Sequence, residues 1–492
     1  MNRAPDRETV DLERRRFLAW SAAASAAFLA GCELAPNPRP TEGPSGSISA
    51  TSPGASARGG GTPPATGPAE PASSAPTSPE PSQTAGSPSP GAPRRRTLYR
   101  DGALADGRSE RLQIGVSILV EDGRIRWIRP SDDEGPLGSR SSLEVIDASG
   151  STIVPGLVDC HSHVTLPGGA HWIDRGSDPP ERLLAYAEAN GRLLTAAGVR
   201  WARDVGAPRG RDPIDGRVRA LSLGVRDRWR ERPEMPRIRA AGTWLVRTGT
   251  RPSGITIAVD DADGLLRAAL AQLDDGADLV KLYLDGPDPT RSPWTAAEVR
   301  RVVEAVHARG AKVTAHATNL EGAGVAAAAR VDAVEHGFVL DADVARAMAA
   351  NGVALVSTLT VLRSWLTFAR TTRLERFASA SGRRAIAERL ERAEASVRAA
   401  RAAGVAVCTG TDFGGGSARA NQLAWEVESL VAAGFEPWEA LGAATWRGGE
   451  LLGEPSAGVI VEGGPADFVL VHGDPTSDPE ALWRVWHVAW AR

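Results

Sequence analysis

Between residues 153 and 412 the chain repeats one device: a short apolar run, bounded by turn residues, that ends on a polar side chain. The run from Ile153 closes on His161-Ser-His163, and the run Ala277–Leu284 is interrupted by Lys281. Lys312-Val-Thr-Ala is closed by His316, Asp332-Ala-Val-Glu by His336, and Gly404–Thr411 by Asp412. Helical spacing fills the intervals. Pro180–Leu194 places apolar residues at i, i+3 and i+4 before a strand-like run, Val199–Val205. Thr295 and Glu298 form a capping-box pattern that opens a helix ending near Gly310. Strands that alternate with helices pair in parallel, since each parallel return needs a crossover. The predicted fold class is α/β: a (β/α)8 TIM barrel over residues 153–455. In such a barrel the chemistry gathers at the C-terminal strand ends, where these polar residues fall.

Residues i and i+2 of a strand face the same side, so His161 and His163 aim at one point. Two neutral imidazoles so placed are half of a metal site. His316 and His336, taken singly, read as hydrogen-bonded core histidines; taken with the pair, they read as further ligands. An ammonium at Lys281 inside an apolar barrel costs several kcal/mol unless paired or neutralised. A salt bridge to Asp412 is one solution. Tyr283 shares the face of Lys281 and is a candidate substrate contact, as are His171 in the loop after the first run and Arg247. Asp204 reads as structural, and His307 and His472 as structural or surface residues.

Several stretches resemble the amidohydrolase superfamily, in its binuclear branch with a carboxylated lysine, near imidazolonepropionase and bacterial prolidases. They are Val154-Pro-Gly-Leu-Val-Asp-Cys-His-Ser-His163, Gly198–Gly206, Ala277–Tyr283, Val313-Thr-Ala-His316, Val334-Glu-His-Gly337, Gly410-Thr-Asp412 and Gly464–Val471. The resemblance implies two divalent metal ions, zinc being the natural fit to imidazole and carboxylate. It places His161, His163, Lys281 and Asp412 on one ion, and Lys281, His316 and His336 on the other. CO2 would carboxylate Lys281 so that it bridges the pair. Asp412 would be the catalytic base beside a bridging hydroxide, and hydrolysis of amide or cyclic amide C–N bonds the reaction, dipeptidase-like cleavage included. Relatives carry a Gly-Gly-His-Gly-like stretch where this chain has Gly242-Thr-Trp-Leu-Val-Arg-Thr-Gly249, so their substrate preferences do not transfer. Two other readings stand beside this one: a mononuclear deaminase, and a surface lipoprotein that binds metal or solute without turnover.

The chain ends frame this core. Arg14 and Arg15 precede an apolar segment, Phe17–Ala30, and Leu29-Ala-Gly-Cys32 resembles a lipoprotein processing site. Residues 1–32 are therefore expected to be a twin-arginine lipoprotein signal with lipidation at Cys32. That implies export to the bacterial cell envelope and attachment there to a membrane. Residues 33–97 are Pro, Ser, Gly, Thr and Ala with almost no bulky apolar side chain, an expected disordered tether of about 45 Å root-mean-square span. Residues 98–152 and 456–492 carry strand-like runs, the first around an Asp-Gly turn, Asp122-Gly123. These two ends are expected to pair as a small β-sandwich, trimmed at one edge by the stop at Arg492. Net charge is −3, which gives no electrostatic basis for nucleic-acid binding. The expected partners are a small-molecule substrate and the anchoring membrane, and a homo-oligomer is compatible with the reading. Cys160 and Cys408 read as buried small hydrophobes, with a disulfide between them as the lesser alternative.

Overall fold

The computed structural model describes residues 95–137, 143–250 and 255–491. The export segment, Cys32 and the tether up to residue 94 lie outside the described residues.

The apolar runs form eight short parallel strands, here β1 (Leu157–Ser162), β2 (Val199–Asp204), β3 (Arg237–Ala240), β4 (Leu279–Tyr283), β5 (Lys312–Ala317), β6 (Ala333–His336), β7 (Ala354–Ser357) and β8 (Val407–Thr409). Parallel ladders join β1 to β2 and β2 to β3, then run without a break from β4 to β8. Two single parallel bridges complete the series: Ala241 with Leu279 after β3, and Ser162 with Phe413 between β1 and the end of β8. This is an α/β fold with parallel strands, and helices such as Pro180–Ala196 and Ala296–His307 supply the crossovers. The helix at Ala296 starts with the expected capping box, in which the Thr295 N–H donates to Glu298 at 2.8 Å and the Glu298 N–H to the Thr295 hydroxyl at 3.3 Å.

The strands' apolar residues are buried against these helices. Val280, Val313, Val334, Leu355 and Val407 join Val299, Val303 and Ala326 in one core, each at most 3 % exposed. Cys160 and Cys408 are free, buried thiols in a second apolar cluster with Val158, Ala333, Val356 and Leu451, as the hydrophobe reading requires.

The apolar run from Ile153 is divided in a way its sequence does not announce. Ser151–Pro155 is a strand of the small sheet, and β1 begins only at Leu157. Gly156 forms the joint, where a Cβ would lie 2.7 Å from that of Arg200. Ser151–Pro155 pairs antiparallel with Phe468–His472, so both ends of the folded region meet as expected. The pairing makes one continuous seven-stranded sheet, which starts at Arg96, two residues inside the expected tether. Asp122 and Gly123 both take positive φ, 51° and 75°, as the hairpin between Gln113–Glu121 and Arg124–Pro130 demands.

The Arg/Glu/Ala-rich stretch from Ser364 to Arg401 is divided between helices. Leu359–Thr367 ends first, and Ala380–Ala402 starts afresh because the Ser379 hydroxyl caps it by accepting from the Gly382 N–H.

Candidate metal centre

The strand ends bring the predicted residues together. One ligand atom from each of His161, His336 and Asp412 lies within 4.8 Å of the others, a spacing that can hold a metal ion. Nε2 of His161 and of His163 approach Asp412 Oδ1 at 3.4 and 3.2 Å. The rings of His161 and His336 stand 4.7 Å apart, and those of His316 and His336 4.5 Å. Lys281 is 2 % exposed.

Each histidine has its far nitrogen already engaged. His161 Nδ1 meets Glu335 Oε2 at 2.6 Å, His163 Nδ1 the Gly206 carbonyl at 2.7 Å, and His336 Nδ1 the Thr358 hydroxyl at 2.8 Å. His316 is reversed: its Nε2 meets Asp285 at 3.0 Å, so Nδ1 is the nitrogen left over. Such partners fix ring orientation and tautomer and leave one lone pair per ring for a cation. The donor set, four imidazoles and a carboxylate around a buried amine, suits a divalent ion.

The electrostatics agree with that geometry. Burial pulls the Lys281 amine down to about 8; Glu335, Asp412 and Asp285 oppose the fall and Arg203 reinforces it. Burial pushes the Asp412 carboxyl up, but His161 and His163 outweigh it and hold the group well below the ordinary range. Burial, His316 and His161 together keep His336 neutral far into acid. His336 and Asp412 are also two of five non-glycine residues at positive φ among the described residues, at 71° and 50°. Backbone held there costs about 1–3 kcal/mol per residue and persists where the surroundings over-determine it.

Behind the ligands lies a supporting shell that sequence reading left without roles. Glu335 is fully buried and accepts from His161, from Arg203 at 2.5 Å and from Thr314. Asp159 ties β1 to the segment that follows β8 by accepting from the Thr411 hydroxyl at 2.6 Å. The Trp244 ring stands edge-on to His163 at 4.9 Å and fills the space a side chain at Gly206 would need. Asp285 carried a usable signal, since it continues the i, i+2 face of Lys281 and Tyr283. Glu335 carried the same signal as an acid within an apolar run, but nothing local names its partner, and only the fold turns it toward His161.

The three candidate substrate contacts separate. Tyr283 stacks on His316, ring centroids 3.7 Å apart and nearly parallel at 11°. Arg247 lays its guanidinium 4.8 Å over the Trp294 ring. His171 instead has a side chain 56 % exposed beside Asp174. His171→Ala is accordingly expected to change kcat/KM less than about twofold, as surface substitutions do; a tenfold loss in steady-state assays would bring it into the site. Asp204 accepts from the Val164 and Gly206 N–H groups, the structural role expected of it.

Comparison with known proteins shows what the chain is similar to. A model of the amidohydrolase family matches residues 152–488. An uncharacterized protein of Mycobacterium tuberculosis is 32 % identical over 379 residues, 75 % of this chain and 89 % of its own. The imidazolonepropionase of Anaeromyxobacter dehalogenans is 27 % identical over 415 residues, 76 % of this chain and 87 % of its own. Among solved structures, an Xaa-Pro dipeptidase with methionine in its active site superimposes with a TM-score of 0.68 at 25 % identity, covering 80 % of this chain and 98 % of that one.

Proposed function

Because the chain belongs to the amidohydrolase family, we propose that it hydrolyses C–N bonds of small amides or cyclic amides with two divalent cations held on a carboxylated Lys281. The observation that carries this reading is the convergence of His161, His163, His316, His336 and Asp412 around a buried lysine, with every far imidazole nitrogen already engaged. His161, His163 and Asp412 would hold one ion, His316 and His336 the other, and Lys281 would join them. When bound, such a pair supplies Lewis-acid polarisation of a carbonyl and a water acidic enough to ionise near neutral pH.

The chain's own groups then have definite tasks. A lysine held near 8 keeps an appreciable neutral fraction at neutral pH, and the neutral amine is the form that adds CO2. Asp412, a carboxylate throughout the working range, is placed to accept a proton and return it to the leaving nitrogen. Tyr283 and Arg247 offer a stacked ring and a guanidinium to the substrate. The eight parallel strands close as a (β/α)8 barrel on this reading, with the terminal sheet as its small β-domain.

Purified protein loaded with zinc and bicarbonate should contain two metal ions per chain and turn over some dipeptide, N-acyl amino acid or lactone. One ion per chain with ammonia release would favour the mononuclear deaminase. Full occupancy without turnover on any of these would leave the binding lipoprotein. Asp412→Asn is expected to lower kcat about a hundredfold or more while the fold is retained, measured by steady-state kinetics beside circular dichroism.

Export and anchoring through Cys32 belong to the same proposal, and the motif around Arg14 and Arg15 supports them. Replacing both arginines by lysine should retain the precursor inside the cell; undiminished surface delivery would refute the route.

A further inference from the structure

At the opposite end of the strand ring from the candidate metal centre lies a cavity of about 350 Å³. Its wall includes the starts of β4 and β5, at Asp278, Leu279 and Lys312, and the end of the helix Trp446–Leu452. Four cations line it, Arg203, Arg239, Arg309 and Lys312, against a single acid, Asp278. That acid is already shared: Arg226 reaches it at 2.8 Å and Arg239 at 3.1 Å. The other acids that act on these cations, Glu335, Glu454, Asp274 and Asp332, are not wall residues.

Two further observations point to a missing negative partner. Arg239 has its Nε–H buried with no hydrogen-bond partner among the described residues. Lys312 donates to the Leu451 carbonyl; burial lowers its pKa, Asp332 opposes the fall and the charge of Arg203 adds to it, a repulsion that an anion beside both cations would relieve. A guanidinium with an open N–H beside an ammonium is the arrangement that grips compact oxyanions.

We propose that this cavity is a second binding site, separate from the metal centre, for a compact doubly charged oxyanion, either tetrahedral or a small dicarboxylate. It rests on neither metal content nor turnover. The test is calorimetric titration of the metal-loaded protein with sodium sulfate and, separately, sodium succinate, with chloride holding ionic strength constant. Saturable binding of one anion per chain is expected for at least one of the two; sulfate alone would mark a tetrahedral ligand and succinate a dicarboxylate. Arg239→Gln and Arg309→Glu should each weaken binding by about tenfold, or about 1.4 kcal/mol. Arg309 is half exposed, so its replacement keeps the fold and decides the matter if the Arg239 variant does not express. Absence of saturable heat with both anions would overturn the proposal. So would binding unaltered by the substitutions, which would locate the anion on the metal centre.

Discussion

Lys281→Met is expected to abolish hydrolysis while leaving the metal-free fold at least as stable as the parent. Loss of the proposed bridging group should lower kcat about a thousandfold or more and reduce the metal content below two ions per chain. Stability should move the other way, because methionine nearly matches lysine in volume and removes a buried ammonium. The same residue gives a pH signature. The folded amine, held near 8, releases its proton before that of the unfolded chain at 10.5. Between those values the unfolded state binds more protons, so metal-free stability rises with pH, by about 3 kcal/mol across the interval. Below pH 8 that contribution is absent. Denaturant titrations of parent and variant between pH 7 and 11 would show the slope in the parent alone. A variant markedly less stable than the parent at pH 7 would mean that the ammonium is a structural ion-pair partner and no seat for CO2.

Glu335→Ala should give the largest loss of stability in the chain. The carboxylate is the common acceptor for Arg203, His161 and Thr314, and Arg203 itself is only 3 % exposed. Removing one side of a buried pair strands the other charge, at a cost of about 3–5 kcal/mol. Metal affinity should fall about 10- to 100-fold as His161 loses its orienting partner. Glu335→Gln keeps the shape and should recover most of the stability but less of the affinity. A denaturation midpoint unchanged in the alanine variant would show that Arg203 has another anchor.

The two variants also mark what the sequence could reveal. Lys281, His161, His163, His316, His336 and Asp412 were legible because each ends or interrupts an apolar run, where a polar group has no business unless it has a task. The strand starts at Val199 and Lys312 and the capping box at Thr295 followed from local rules and appear where expected. Glu335, Asp159 and Thr358 were not legible as partners, because their roles exist only across strand pairs and no local pattern records which strands become neighbours. The split of the first run at Gly156 was hidden for the same reason. Pro155 ends a strand whose partner, Phe468–His472, lies more than three hundred residues away.

The seam between β1 and β8 fixes when this centre can come into being. There the Asp412 N–H donates to the His161 carbonyl and the His163 N–H to that of Phe413, so the first and last ligands are held on one another's backbone. A nascent chain still lacking residue 413 carries the histidine pair with nothing to complete it. On the proposed reading, cation capture at this seam waits until residue 413 has been made and has folded back onto the first strand, and a polypeptide arrested before that point would present two naked imidazoles to whichever ion is most abundant in the cell.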